Sequence, residues 1–508
     1  MSSAPAVPEY KVLIGMEVHV QLATRSKMFS GAANGFGAAP NHQVDPVVLG
    51  LPGVLPVINR QAVEMAIQVG LALHCRIAAE TKWDRKSYYY PDLPKNYQIS
   101  QYEQPLCGAG ELELPLPNGQ TKLVRVRRAH LEEDAGKLLH QGASGVSRVD
   151  LNRAGTPLLE IVTEPDLASA TEARLFGEEL RRICRYLGIS PGIMQQGHMR
   201  FEPNLNLHIL HQGRVVKTPI TEIKNLNSFR ALERACDYEV QRQLAAWRAA
   251  PETPPDSGKS TRGWDDDRGV TVLQREKEEA HDYRYFPDPD LVPLRVAPAW
   301  VERLRGQLVE LPISRRRRYE RELGLSAKEA FALTEERAVA DLFEAAQAGA
   351  PARRLANLLL GPAAKLANER ATAEGHPVQI NDLPITAGQY AAVAQLAETG
   401  RISATAAASL VEFLAAHPGA DPAAAAAAQG LLQVSDSATT EAWVRQALSA
   451  NPRAVADYKN NPKKKAAALG FLRGAVMKTS QGKANPQLVS AMLQTHLDDP
   501  AASGTDKL

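Results

Sequence analysis

No run of about 18 consecutive apolar residues occurs in this sequence of 508 residues, so no membrane-spanning helix is expected. Residues 1–8 lack the basic stretch and apolar run of an export signal, so secretion is not expected either. Cysteine is scarce: Cys75, Cys107, Cys184 and Cys236 form no C-x-x-C pair and lack the density of a disulfide scaffold. Buried free thiols in a reducing compartment, the cytoplasm, are the expectation. No G-x-x-x-x-G-K-[S/T] loop is present, so phosphates must be held by side chains and metal. A G-x-S-x-G elbow and a cysteine-based glutaminase signature are also missing, which assigns any glutamine hydrolysis to another chain. No fixed-period repeat supports a solenoid.

What is present is ordinary globular composition, 44% hydrophobic and 23% charged with a net charge of +2, in a chain long enough for two to four domains. Short alternating segments and Gly/Pro turns run from Tyr10 to about Ala297. Beyond Pro298 the chain turns alanine-rich with helical apolar spacing. The expected domains are therefore 1–297, 298–430 and 431–508, with His417 to Gly430 as a linker or short spacer helix. The fold class expected is α+β: an N-terminal sheet domain, an all-α domain and a small helical tail. Ser169 and Glu172 predict a capping box opening a helix on which Leu175, Phe176, Leu180, Ile183 and Leu187 recur, stopped by Gly188.

Three acidic segments stand out. In KVLIGMEVHVQL, Ile14, Met16, Val18, Val20 and Leu22 share one strand face and Glu17, His19 and Gln21 the other. Such a polar face is commonly just solvated, yet an imidazole and a carboxylate two residues apart can converge on one divalent ion. In HLEEDAGK three successive acids precede a glycine turn, tolerable in water or around a cation. In DLNRAGTPLLEIVTEPD, Glu160 interrupts an apolar run, where an unpaired buried acid is costly and a ligand or partner is favoured. Basic and aromatic residues complement these acids in WDRKSYYYPDLPKNYQISQ, MRFEPNLN, EIKNLNSFR and EAHDYRYFPDPDLVP. Packing or solvated charge explains each of these equally well in isolation. Near the end, Arg453, Lys459, Lys463, Lys464, Lys465, Arg473, Lys478 and Lys483 face a single acid, Asp457, over 31 residues, the footprint expected for a phosphate backbone. Arg315 to Arg318 are a candidate second patch.

In that order, IGMEVHVQL, LGLPGVLPVIN, DRKSYYYPDLPKNYQISQ, HLEEDAGK, DLNRAGTPLLEIVTEPD, EIKNLNSF, DYRYFPDPDLVPL and GKANPQLV closely resemble the B subunits of the glutamine-dependent aspartyl/glutamyl-tRNA amidotransferases, from about Tyr10 to Leu497. The resemblance implies a cradle built on an antiparallel sheet, followed by a helical domain and a helical tail domain. It implies a ligase in which ATP phosphorylates the side-chain carboxylate of Glu on tRNA(Gln) or Asp on tRNA(Asn). Ammonia from a separate amidase, the A subunit, then displaces phosphate, in a heterotrimer completed by a small C subunit. The site residues it implies are His19, Glu133 and Glu160 for magnesium with Glu17 beside them, and Lys86 for a phosphate contact. Glu202 and Glu222 follow as further catalytic carboxylates, and Arg200 and Asn204 as polar contacts of ATP. The basic tail, chiefly Lys463, Lys464, Lys465, Arg473 and Lys478, is expected to dock tRNA, and the Tyr88 to Gln101 block is a candidate lining for an ammonia tunnel. Many relatives read Arg-Cys-Asp where this chain has Arg200-Phe201-Glu202. Some bind zinc through cysteines whose places are held here by Ser30, Ala32, Asp45 and Val48, so no zinc is expected. The alternative is a tRNA-docking scaffold without kinase activity. The archaeal-type relative would need an inserted domain for which Pro293 to Val301 leaves no room.

Overall fold

The strand Tyr10–Gln21 (β1) is buried on one face at Ile14, Met16, Val18 and Val20 and lies at the middle of a nine-stranded sheet. The other members are β2 (Gly110–Pro115), β3 (Thr121–Glu133), β4 (Pro157–Thr163), β5 (Met199–His211), β6 (Arg214–Lys217), β7 (Thr221–Lys224), β8 (Ser260–Asp265) and β9 (Val270–Glu276). Their order is β9-β8-β7-β5-β1-β4-β3-β2, with β6 hairpinned onto β5. The chain is described by a computed structural model over residues 9–140, 146–249, 259–276, 283–433, 436–480 and 482–498. Residues 1–8 and Glu279 to Asp282, on which some sequence expectations rest, lie outside the described residues.

The sheet is antiparallel as expected except at β7–β8, which run parallel because the helix Phe229–Ala249 (α3) lies between them in the chain. Apolar residues of its inner face pack with the helices Arg60–Ala72 (α1), Ala170–Tyr186 (α2) and α3 into one core. In α2 the Ser169 hydroxyl accepts from the Glu172 amide at 3.1 Å, but the Glu172 carboxylate takes the amide of Ala168 rather than that of Ser169. Half of the expected capping box forms, and Gly188 follows at φ +68°.

Two compact units divide at 313/314, not at Pro298. The helix Pro298–Gly306 (α4) belongs to the first unit because Leu304 is buried in its core and Trp300 Nε1 and Arg303 both bond to Glu64 on α1. In the second unit two separate apolar clusters form, one from Tyr319 to Ala426 and one from Val444 to Leu497. Within His417 to Gly430 the alanines form a helix, Pro422–Ala428, capped by Asp421, whose Ala425 and Ala426 are buried in the first of these clusters.

Candidate functional site

Strand register decides which side chains meet. Across β1, β3, β4 and β5, His19 pairs with Glu160 on one side and Arg200 on the other, Glu160 pairs with His130, and Glu17 pairs with Glu202. Because side chains alternate along a strand, these residues stand on one face together with Glu132 and Asn204, opposite the apolar core. β7 brings Glu222 level with Asn204 at the edge of this face.

The centre is compact. His19 Nε2 lies 3.5 Å from both Glu132 and Glu160 and 4.0 Å from Glu17, while His130 Nε2 is 3.4 Å from Glu160. One ligand atom from each of Glu17, His19 and Glu160 falls within 4.8 Å of the others; so it is for His130, Glu132 and Glu160, and for Glu17, Glu202 and Glu222. Burial alone would drive protons off His19, yet the hydrogen bond and charge of Glu160, helped by Glu132, raise its pKa to about 9. Glu160, whose ionisation burial opposes, is held well below the usual carboxylate range by the two histidines. Glu17 is pushed the other way, to about 7, first by burial and then by Glu160. Acids on one face thus do not share one charge state.

Cations close the perimeter. Lys86 lies on Asp84–Ser87, the middle strand of a small sheet with Tyr97–Ser100 and Phe286–Pro287, and its ammonium sits 4.8 Å from the centre of the Tyr283 ring. Burial would lower its pKa, but Glu132 and Glu160 outweigh that and raise it. Lys224 Nζ bridges Glu202 at 2.8 Å and Glu222 at 3.3 Å, and the Thr261 hydroxyl donates to Glu222 at 2.8 Å. Buried Asp134 is held by Arg200 at 3.0 Å, Arg153 at 3.5 Å and the Gln21 amide at 3.0 Å. Those guanidiniums lower its pKa against the effect of burial.

Of the residues assigned to the cation by resemblance, His19 and Glu160 meet in the cluster with Glu17 beside them. Glu133 stands on the opposite face, where its carboxylate accepts from the Lys95 ammonium and from the Ile99 amide at 3.0 Å. His130, Glu132, Asp134 and Lys224 join the site without having been singled out. The signal for the first two was available: along a strand, His130 and Glu132 share a face that Glu133 cannot. The loop after β3 depends on Gly136, because a Cβ there would lie 2.9 Å from the carbonyl oxygen of Asp150 and 3.0 Å from that of Asp92.

The tail residues belong to the second unit. Lys463, Lys464 and Lys465 are exposed at the start of the helix Lys465–Thr479, which also exposes Arg473 and Lys478. Lys464 and Lys465 reach Asp457 and Asp498 at 3.4 Å. Arg315 and Arg316, by contrast, are buried: Arg315 pairs with Asp341 at 2.8 Å and Arg316 stacks over Phe331, so half of the candidate second patch serves packing. Among the described residues no helix is long and apolar enough to cross a membrane.

Comparison with known proteins agrees along the chain. Residues 12–302 match the family model "GatB/GatE catalytic domain" and residues 341–497 the model "GatB domain". The B subunit of the aspartyl/glutamyl-tRNA(Asn/Gln) amidotransferase of Thermomicrobium roseum is 48% identical over 497 residues, 97% of this chain and 99% of the relative. Those of Halorhodospira halophila and a Synechococcus strain are 45% and 42% identical over 96% and 98% of this chain and 99% of each relative. A cluster built by strand register at the centre of the matched segment, and identity of this extent over nearly the whole length, place the chain in the family of the aspartyl/glutamyl-tRNA amidotransferase B subunits.

Proposed function

We propose that this chain is the carboxylate-activating and tRNA-docking member of a glutamine-dependent amidotransferase that converts Glu-tRNA(Gln), Asp-tRNA(Asn) or both to the amides in the cytoplasm. It would work beside an amidase chain and a small third chain. The observation that carries the reading is the convergence of His19, Glu132 and Glu160, with Glu17 and Lys86 beside them, on one half-sheltered sheet face. An imidazole with two or three carboxylates suits a divalent cation, magnesium by resemblance, and the Nδ1 atoms of His19 and His130 are buried without hydrogen-bond partners in a face otherwise crowded with charge. When bound, such a cation neutralises phosphate oxygens and favours phosphoryl transfer by charge and position.

The protein groups supply the rest. Lys86, kept charged by Glu132 and Glu160, contacts transferring phosphate oxygens. A substrate carboxylate oxygen bonds to the γ-phosphorus of ATP as ADP leaves, which turns a poor leaving group into a good one. Ammonia then attacks the acyl carbon, the C–O bond to phosphate breaks, and the nitrogen sheds a proton. Glu17, with a pKa of about 7, is suited to accept that proton. Glu202 and Glu222, spaced by Lys224, orient the polar ends of the substrate, with Arg200 and Asn204 on the same face. The exposed lysines of the tail meet the tRNA backbone.

The test is the chain reconstituted with its amidase partner and supplied with both misacylated tRNAs, ATP and glutamine. Phosphate release and amide formation are expected together, and both should vanish in Glu160→Gln. Activated Glu-tRNA or Asp-tRNA formed at the normal rate by that variant would reduce the chain to a scaffold.

A further inference from the structure

Among the eight cations between Arg453 and Lys483 the chain places a single acid, Asp457, and a lone carboxylate weakens a field that suits phosphates. Asp457 stands in the wall of a cavity of about 630 Å³ between the helices Pro452–Asn460 and Lys465–Thr479. The size is that of a small-molecule site. Ala454, Ala467 and Ala468 give the cavity an apolar lining. Phe471 adds a ring that is 59% exposed and takes no part in the apolar core of the tail. Arg453 and Lys464 complete the wall, and the Lys464 ammonium lies 3.4 Å from the Asp457 carboxylate. An exposed ion pair of that length contributes little to stability, so the fold alone gives no reason for it.

These groups have a counterpart in nucleic acid. An exposed ring beside an apolar lining stacks an unpaired base of any kind, and the ion pair selects among bases. Of the four common bases only guanine carries two adjacent donors, N1–H and N2–H, beside an acceptor, O6, on its Watson–Crick edge. A carboxylate with an ammonium next to it is the complement: Asp457 accepts from both donors while Lys464 donates to O6. Resting on the reading of the tail as the tRNA dock, we infer that this cavity takes an unpaired guanine of the bound tRNA, stacked on Phe471 and held by Asp457 and Lys464. Arg453 meets the flanking phosphate. The tail then reads a base as well as a backbone, which adds sequence discrimination to a surface whose other cations suit any polyanion. An acidic segment of a partner protein fits less well, because its carboxylates would meet that of Asp457.

The complete reconstituted amidotransferase decides it. Affinity for tRNA is measured by fluorescence anisotropy across a salt series for the parent, Phe471→Ala and Asp457→Asn. The tRNAs carry inosine, which lacks the N2 amino group, in place of each loop guanosine in turn. Phe471→Ala, an exposed change, is expected to weaken binding about tenfold. The slope of log affinity against log salt should stay as it is, since no phosphate contact is lost. Inosine at one position is expected to weaken binding to the parent about fivefold. The same inosine should leave binding to Asp457→Asn unchanged, a coupling that a general change of charge cannot produce. Binding of Phe471→Ala within about twofold of the parent, the result expected of a groove for a protein partner, overturns the inference. So does the absence of any inosine effect that disappears in Asp457→Asn. Either failure leaves the docking reading standing so long as reversal of Lys463, Lys464 and Lys465 still flattens the salt slope, whereas a reversal that changes nothing sinks the docking reading itself.

Discussion

The two units treat charge in opposite ways. In the first, Glu132, Glu133, Asp134 and Glu160 are buried within a few residues of one another in the sheet, and each is held by a named partner at a set distance. In the second, Lys463, Lys464 and Lys465 stand in water, and those with acidic partners reach them only at 3.4 Å. Buried charges act through geometry, because removing one partner strands the other in a low-dielectric interior. Exposed charges act through a summed, salt-screened field to which each contributes modestly. The proposed chemical site in one unit therefore rests on buried charge, and the proposed tRNA-docking surface in the other on exposed charge.

The largest effect that would test this contrast is at Glu160, which touches both His19 and His130. Glu160→Gln keeps the shape and removes the charge, and phosphoryl transfer should fall by at least about 10³-fold, near 4 kcal/mol. Circular dichroism should show the sheet intact. Activity within about tenfold of the parent would mean that the buried cluster is structural.

Next is the pair of adjacent glutamates. Glu133→Ala strands the Lys95 ammonium and frees the Ile99 amide, at a cost of about 3 kcal/mol to the first unit, visible as a lower urea midpoint in pulse proteolysis. Glu132→Gln should instead cut activity by about 10²-fold with a small change in midpoint. Were the two results exchanged, the cation would belong to Glu133, as the resemblance implies, and side-chain alternation along β3 would be a poor guide.

In the second unit, reversing Lys463, Lys464 and Lys465 to Glu should weaken tRNA binding by about tenfold or more at moderate salt and flatten the salt dependence by up to about two units of slope. Amidation at saturating tRNA should persist. A loss of kcat with unchanged affinity would place these lysines in the chemistry and erase the contrast between the units.

These outcomes also bear on what was legible in the sequence. The polar stripe Glu17, His19, Gln21 and the anomalous Glu160 were visible because strand alternation is local, and β1 and β4 obey it. Which residue of His130, Glu132 and Glu133 meets them was equally local in principle. The segment HLEEDAGK reads as a loop of crowded acids until its first four residues are recognised as the end of a 13-residue strand. The Gln21–Asp134 contact joins residues 113 positions apart, and Lys224 and Arg153 reach their acids through strand pairing and turn geometry that no spacing encodes. The first compact unit runs past the expected boundary at Pro298 for a related reason. Proline marked the start of a helix, but Trp300 and Leu304 chose the first core by packing that only the folded chain reveals.

The smallest effect follows from the one lysine, among the described residues, that the first unit buries completely. Lys27 is 0% exposed and donates to the carbonyl oxygens of Asn152 and, at 2.8 Å, of Ala154, bracing the turn that leads into β4. Burial lowers its pKa to about 8, with Asp134, Asp45 and Asp150 offsetting only part of that effect. In the unfolded chain a lysine titrates near its ordinary value of about 10.4. Below about pH 8 both states hold the proton and stability is flat in pH. Above it the folded state gives up its proton first, the unfolded state binds more, and stability must rise with pH until the unfolded lysine also titrates. The expected gain for the first unit is about 1 kcal/mol between about pH 7.5 and about pH 9. Pulse proteolysis in urea, quantifying the surviving first unit, should show this rise in the parent and not in Lys27→Met. An identical slope in both proteins would mean that water reaches the ammonium, and that this buried charge behaves like the exposed lysines of the tail.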